Sequence, residues 1–235
     1  LNISELAGAI GEAFRDEKKR IEVAPIGDFL DSIGRDVAGV DGVLFAYRSV
    51  DDLARRRLAE LKIPYVFVSR VIPGENYVSC NYYKSMLGLT RMMIDSGHRR
   101  LGYLGNAGNP NDEDRFRGFQ TAVAEAGSVN TVRVSASSIF GVDENAVRLF
   151  TDGRCDAVLC FNDFMAIRLI GHLRDLGLTV PSDISVTGFD DSPLRRVASP
   201  LLTTVRQPTS EMAFLASRWL RDNILHKSNR RLCIE

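Results

Sequence analysis

No stretch of this 235-residue chain is apolar for long enough to cross a bilayer, which takes about 20 residues. Neither sign of charge is in excess. The 30 basic and 30 acidic residues cancel, so the composition supplies no field that would draw the chain to nucleic acid or a membrane surface. The basic clusters Lys18-Lys19-Arg20, Arg55-Arg56-Arg57, Arg99-Arg100 and Arg230-Arg231 are short and read as solvated helix faces and loop ends. Cysteine is sparse. Cys80, Cys155, Cys160 and Cys233 have the spacing of neither a metal site nor a disulfide framework, which suits a reducing cytoplasm. Cys160, inside an apolar run, reads as a small buried hydrophobe. The three histidines, His98, His172 and His226, are scattered. Gly-x-Ser-x-Gly and the P-loop are absent, and Gly102, Gly105 and Gly108 are too evenly spaced for the dinucleotide fingerprint. These absences argue against an enzyme, a metal site and a cofactor.

What is present is organised around Asp156 to Pro208. Ala157–Phe161 is an apolar run of strand length, followed by Asn162 and Asp163, both good helix N-caps. Ile167, Ile170 and Leu173, with Ala166 and Leu169 beside them, repeat at helical period, and Gly177 stops the helix. A second strand, Ile184–Thr187, leads into Gly188, Phe189, Asp190 and Asp191. A strand–helix–strand unit of this kind makes a parallel sheet with a right-handed crossover. Polar residues past the carboxyl ends of both strands stand where open α/β sheets bind ligands.

The rest of the chain alternates in the same way. Residues 4–16 read as a helix with Leu6, Ile10, Ala13 and Phe14 on one face. Ile21–Ala24 reads as a strand, Phe29–Val37 as a poorer helix, and Val43–Ala46 and Tyr65–Val68 as strands around a helix from Asp51 to Leu61. Further on come a helix from Ser85 to Ser96, strand Leu101–Leu104, a turn-rich loop from Gly105 to Asp114, and a helix opening at Arg115. Strand Val129–Val134, helix Glu144–Phe150, strand Thr203–Val205, a helix after Pro208 carrying Met212 to Leu220, and a last strand in Arg231–Ile234 complete the reading. The alternation predicts parallel sheets in two rounds, before and after about residue 80, with no Gly/Ser linker between them. A doubly wound lobe should open with a strand, whereas this chain opens at Leu1 with a helix, so the first strand is expected upstream of a fragment.

Several motifs, in order and at consistent spacing, resemble the lactose-repressor/galactose-repressor family of transcription regulators. They are V-D-G-V-L-F (Val40–Phe45), I-P-Y-V-F-V-S-R (Ile63–Arg70), S-G-H-R-R-L-G-Y-L-G (Ser96–Gly105), R-F-R-G-F (Arg115–Phe119), the A-V-L-C-F-N-D-F-M-A-I run, V-P-S-D-I-S-V-T-G-F-D-D and P-L-L-T-T-V-R-Q-P. Together they cover nearly all of the chain. The resemblance implies an α/β fold of the type I periplasmic binding protein kind, with two Rossmann-like lobes, parallel sheets and a ligand cleft joined by three chain crossovers. Residues 1–79 with 207–231 would form the first lobe, and 80–206 with 232–235 the second. It also implies a cytoplasmic homodimer that senses a small-molecule effector, by default a sugar. Operator DNA would be bound through an N-terminal helix-turn-helix that this chain lacks. The rival readings are a secreted sugar-binding protein of the same fold that feeds a transporter, an enzyme on a flavodoxin-like sheet, and the same sensor carrying a different DNA-binding head.

Candidate ligand residues carry two readings each. Asp190 either braces its turn or, as the resemblance implies, accepts hydrogen bonds from effector hydroxyls. Asn162 is a helix cap or a cleft-facing amide, with Asp163 structural. Arg115 is a surface arginine or a forked donor to the effector; at a helix start it would oppose the dipole. Ser69 stands where the family usually has an acid, which removes one charge from the first lobe. Phe140 and Cys80 occupy positions where the family often places a stacking ring; Phe140 can stack or sit in the core, and Cys80 cannot stack. Gln207, at a crossing, lines the cleft or only the hinge.

Overall fold

A computed structural model describes residues 3–20, 22, 39–46, 52–138, 140–196, 200–226 and 231–235. The strand expected at Ile21–Ala24 and the helix at Phe29–Val37 lie outside these residues, apart from Glu22. The chain divides into two compact units: Leu1–Cys80 with Pro208–Glu235, and Asn81–Gln207.

The first unit is built on a parallel sheet of β1 (Val43–Ala46), β2 (Tyr65–Val68), β3 (Tyr77–Val78) and β8 (Cys233–Ile234), in that order. Side chains alternate across a strand, and β2 shows it. Val66 and Val68 face α1 (Ile3–Ala13) and α7 (Thr209–His226), where they meet Leu6, Met212, Ala213 and Leu220. Phe67 faces the other way, onto Phe45 and onto Ala54 and Leu58 of α2 (Asp52–Glu60). Each such buried Leu or Phe is worth about 1.5–3 kcal/mol. The resemblance implies that residues 232–235 belong to the second lobe, but Cys233 and Ile234 pair with Tyr77 and Val78 of the first unit. The cause is the backbone of β3: the Tyr77 and Ser79 N–H groups donate to the Leu232 and Ile234 carbonyls at 2.9 and 2.8 Å. No short strand at 77–78 was legible in the sequence.

The second unit has a parallel sheet in the order β5 (Asn130–Ala136), β4 (Arg100–Asn106), β6 (Ala157–Cys160), β7 (Ser185–Thr187). Its connecting helices are α3 (Tyr82–Asp95), α4 (Pro110–Ala126), α5 (Glu144–Asp152) and α6 (Asp163–Asp175). Leu104, Val158 and Cys160 pack with Phe150, Met165 and Leu169 on one face, and Cys160 is fully buried as the sequence predicts. Thr203–Val205 is not a strand. Thr203 and Arg206 make isolated parallel bridges to Thr187 and Asp190.

Two helices begin earlier than their apolar periodicity predicts, each because an asparagine caps it. The Asn81 side chain accepts from the Lys84 N–H at 2.9 Å and starts α3 at Tyr82. Asn109 accepts from the Asn111 N–H at 3.0 Å, and Pro110 occupies the first turn of α4. Arg115 therefore lies inside α4 rather than at its start, and the opposed-dipole argument does not apply to it.

Candidate functional site

The topology of the second sheet singles out one place. From β4 the chain moves one way to β5, and β6 leads the other way to β7, so the connections part between β4 and β6. Ligands of open α/β sheets bind outside the carboxyl ends of the strands at such a switch point. Just past those ends lie Phe161-Asn162-Asp163 after β6 and Gly188-Phe189-Asp190-Asp191 after β7.

Arg115 reaches this edge from the inward stripe of α4. It is 2% exposed, and burying a guanidinium costs several kcal/mol unless it is well partnered. One terminal nitrogen donates to the Phe161 carbonyl. The other stands 3.4 Å from Asp190 Oδ1, longer than a tight charge-assisted hydrogen bond. The cation lies 3.8 Å from the Phe189 ring centre, 4.2 Å from Phe161 and 4.8 Å from Tyr82. Such contacts add about 2 kcal/mol when desolvated. Asp190 Oδ1 also accepts from Gln207 Nε2 at 2.5 Å, and Gln207 Oε1 accepts from the Tyr82 hydroxyl at 3.3 Å. Arg115, Asp190, Gln207 and Tyr82 thus form one connected polar cluster.

The loop that carries Asp190 is held in a costly shape. Asp190 has φ 117° and Asp191 φ 55°, conformations that cost about 1–3 kcal/mol each outside glycine. Backbone bonds fix Asp190 itself: its N–H donates to the Val205 carbonyl at 2.8 Å. Asp191 is gripped by Arg195 and by Arg206, the latter at 2.7 Å. Burial works against its charge, but the hydrogen bonds from the two arginines outweigh that and hold its carboxyl below the ordinary value.

Asp163 braces the same loop from α6. Its carboxylate accepts from the Ser192 N–H at 2.6 Å and from the Thr204 hydroxyl, and its own N–H donates to the Phe189 carbonyl at 2.9 Å. Burial pushes the Asp163 carboxyl up more than the Thr204 and Ser192 donors pull it down. The fit explains Gly188, where a Cβ would stand 2.2 Å from Asp163 Oδ1. Asn162 caps α6 by accepting from the Met165 N–H at 2.9 Å.

Phe140 is 65% exposed, so its core reading fails; its ring meets Phe164 edge-to-face at 5.2 Å. Ser69 and Cys80 belong to the first unit. Ser69 follows β2 with φ 65°, is 3% exposed, and donates its N–H to the Val78 carbonyl at 2.8 Å. Cys80 packs half-buried against the α1–α7 core. Two cavities lie elsewhere. One of about 350 Å³ is bounded by Glu12, Arg15, Asp16, Phe214, Arg218 and Arg221 in the first unit, and one of about 240 Å³ lies near the amino edge of the second sheet by Arg100, Arg154 and Asp156. Among the described residues no three His, Cys, Asp or Glu side chains are grouped to hold a metal ion.

Sequence reasoning missed Tyr82, Phe161 and Phe189. The two phenylalanines had a signal: Phe161 is the first residue past β6 and Phe189 the second past β7, in Phe-Asn-Asp and Phe-Asp-Asp. Tyr82 had none, since its role depends on a partner 125 positions away.

The periplasmic binding protein-like domain family matches residues 90–233, more than half of the chain. The chain is 38% identical over 160 residues to the HTH-type transcriptional regulator GalR of Escherichia coli, covering 65% of this chain and 46% of that protein. It is 31% identical over 208 residues to the HTH-type transcriptional repressor PurR of Photobacterium profundum, covering 83% of this chain and 61% of that one. The chain thus spans about half of the length of these relatives. Among solved structures, the transcriptional regulator CelR–cellobiose complex superposes with a TM-score of 0.81 and 26% identity, covering 98% of this chain and 75% of that one. The chain belongs to the periplasmic binding protein-like domain family, as an effector-binding domain of the lactose-repressor/galactose-repressor type.

Proposed function

We propose that this chain is the effector-sensing domain of a bacterial transcription regulator, and that it takes a small polyhydroxylated ligand, a sugar first, at the carboxyl edge of its second sheet. The observation that carries the reading is the joined cluster of Arg115, Asp190 and Gln207, with Asn162 beside it at the start of α6. A carboxylate that can accept from two hydroxyls, a forked donor and two amides match the alternating donors and acceptors of a sugar ring. The relatives support the reading by name, as HTH-type regulators, and the similar CelR structure holds cellobiose. We extend the site to Phe140, which offers an apolar ring face, and read Ser69 and Cys80 as candidate ligand groups at the carboxyl edge of the first unit's own sheet.

In this reading the domain acts as a cytoplasmic homodimer. Ligand binding changes operator affinity through helix-turn-helix heads encoded outside these residues. A ligand drives such a change only through its preference for one state of the protein over another. A coupling of about 1–3 kcal/mol between ligand and DNA would be ordinary.

A thermal-shift screen against cellobiose, glucose, galactose, ribose, their phosphates, nucleosides and purines tests the proposal. A ligand at 100 times its dissociation constant adds about 2.7 kcal/mol of stability. The expected result is a saccharide hit that Asp190→Asn and Asn162→Ala weaken. A hit indifferent to both substitutions places the site elsewhere, and a purine hit without a sugar hit replaces the ligand class.

A further inference from the structure

The buried stripe of α4 begins with a carboxylate. Asp112, Arg115, Phe119 and Ala122 all face inward, and residues three apart on a helix stack on one face. The placement of Asp112 therefore governs where the stem of Arg115 begins. Asp112 is 4% exposed. The Tyr103 hydroxyl donates to its Oδ1 at 2.8 Å, and the Asn106 N–H donates to the same oxygen at 3.2 Å. The Arg133 guanidinium stands 3.6 Å from Oδ2. Tyr103 and Asn106 belong to β4 and Arg133 to β5, so one side chain ties the first turn of α4 to two strands. The strand makes room for it: a Cβ on Gly105 would stand 2.7 Å from Oδ2. Arg133 in turn lies 3.6 Å over the Phe116 ring, and Phe116 packs on Tyr103 at 5.1 Å. Burial pushes the Asp112 carboxyl up, although Tyr103, Asn106, Arg133 and Arg115 all pull it down. An acid kept at that cost, away from the polar cluster it supports, is explained by what it fastens.

We infer that Asp112 is a positioning residue for Arg115: it locks the start of α4 to the carboxyl end of β4, so that the guanidinium is already aimed at the Phe161 carbonyl and Asp190. Its functional weight rests on Arg115 being a ligand contact, as proposed above. The lock itself can be tested with no ligand present.

The experiment is a set of nitrogen–proton spectra of the arginine side chains in the full chain. The Nε–H signal of Arg115 is identified by its loss in Arg115→Lys. In Asp112→Ala this signal moves and exchanges with water about tenfold faster or more. In Asp112→Asn, whose side-chain oxygen still accepts from Tyr103 and Asn106, most of the protection returns. Arg221, which binds the Ala13 carbonyl and Asp222 in the first unit, serves as the internal control and stays in place. An Arg115 signal unchanged in position and exchange in folded Asp112→Ala overturns the inference. If that variant does not fold, Tyr103→Phe removes one donor at nearly constant volume. A smaller Arg115 shift of the same kind then supports the lock, and no shift overturns it. A domain that binds no sugar while Arg115 responds as described refutes the ligand reading and leaves the lock standing.

Discussion

The carboxyl edges of the two sheets are built from different chemistry. In the first unit β2 is followed by Ser69 and Arg70 and β3 by Ser79 and Cys80, and the Ser69 and Ser79 backbones are tied to neighbouring strands. In the second unit the edge carries Arg115, Asp163, Asp190 and Asp191, and their charges are paired, stacked or hydrogen-bonded. Left-handed backbone occurs at both, at Ser69 and at Asp190 and Asp191. Strain is therefore common to the two edges, while buried charge belongs to the second among the described residues. The comparison teaches that fully buried charge, at Arg115 and Asp163, is concentrated at one edge, while the other buries Ser69 and Ser79 and keeps Arg70 partly exposed.

The sharpest way to break the comparison is Arg115→Ala. Removing one partner of a buried pair costs about 3 kcal/mol or more. The only tryptophan, Trp219, lies on α7 of the first unit. Urea unfolding followed by far-ultraviolet dichroism should lose stability by that amount, while the tryptophan fluorescence midpoint moves less. Equal shifts would mean that the second edge is not a local source of stability.

Gly188→Ala comes next. The added methyl overlaps the Asp163 carboxylate, and overpacking of this kind costs about 1–3 kcal/mol. A neutral result in thermal unfolding would show that the 188–192 loop can yield.

Asp191→Asn tests the charge itself. Its carboxyl is held below the ordinary 3.8, so its contribution is present above that pH and is lost as pH falls through the depressed value. The variant should lose up to about 1 kcal/mol at neutral pH, because Arg206 is largely exposed and screened. The gap to the parent should close below pH 3.8. Asp163 and Asp112 have raised values and run the other way: the folded state takes up their protons first, so their charge opposes stability as pH rises through those values. A gap for Asp191→Asn that widens in acid would contradict the assignment.

Ser69→Ala should have the smallest effect, within about 1 kcal/mol, because the backbone bond to Val78 survives. A loss as large as that of Arg115→Ala would erase the contrast between the edges.

The strands and their polar ends were legible because they are local patterns: an apolar run, then a helix cap or a turn acid. Tyr65–Val68 has the same limits in sequence and structure. The starts of α3 and α4 were not, since Asn81 and Asn109-Pro110 read equally well as loop. The burial of Arg115 was least legible of all. Nothing in Arg-Phe-Arg-Gly-Phe separates the inward arginine from the outward one, and Asp190 lies 75 positions away. The resemblance supplied what spacing alone does not.

The order of the chain has one more consequence. The second unit is a single uninterrupted segment, whereas the first is assembled from residues on either side of it. On a ribosome, Asn81–Gln207 is complete before Met212, Ala213 and Leu220, the α7 side of the first unit's core, have been synthesised. The nascent second unit can close its own core while Val66 and Val68, with only α1 yet made on that face, still wait for α7. Chaperone dependence during synthesis should therefore fall on Leu1–Cys80, the earlier-made part, the reverse of the usual N-to-C order.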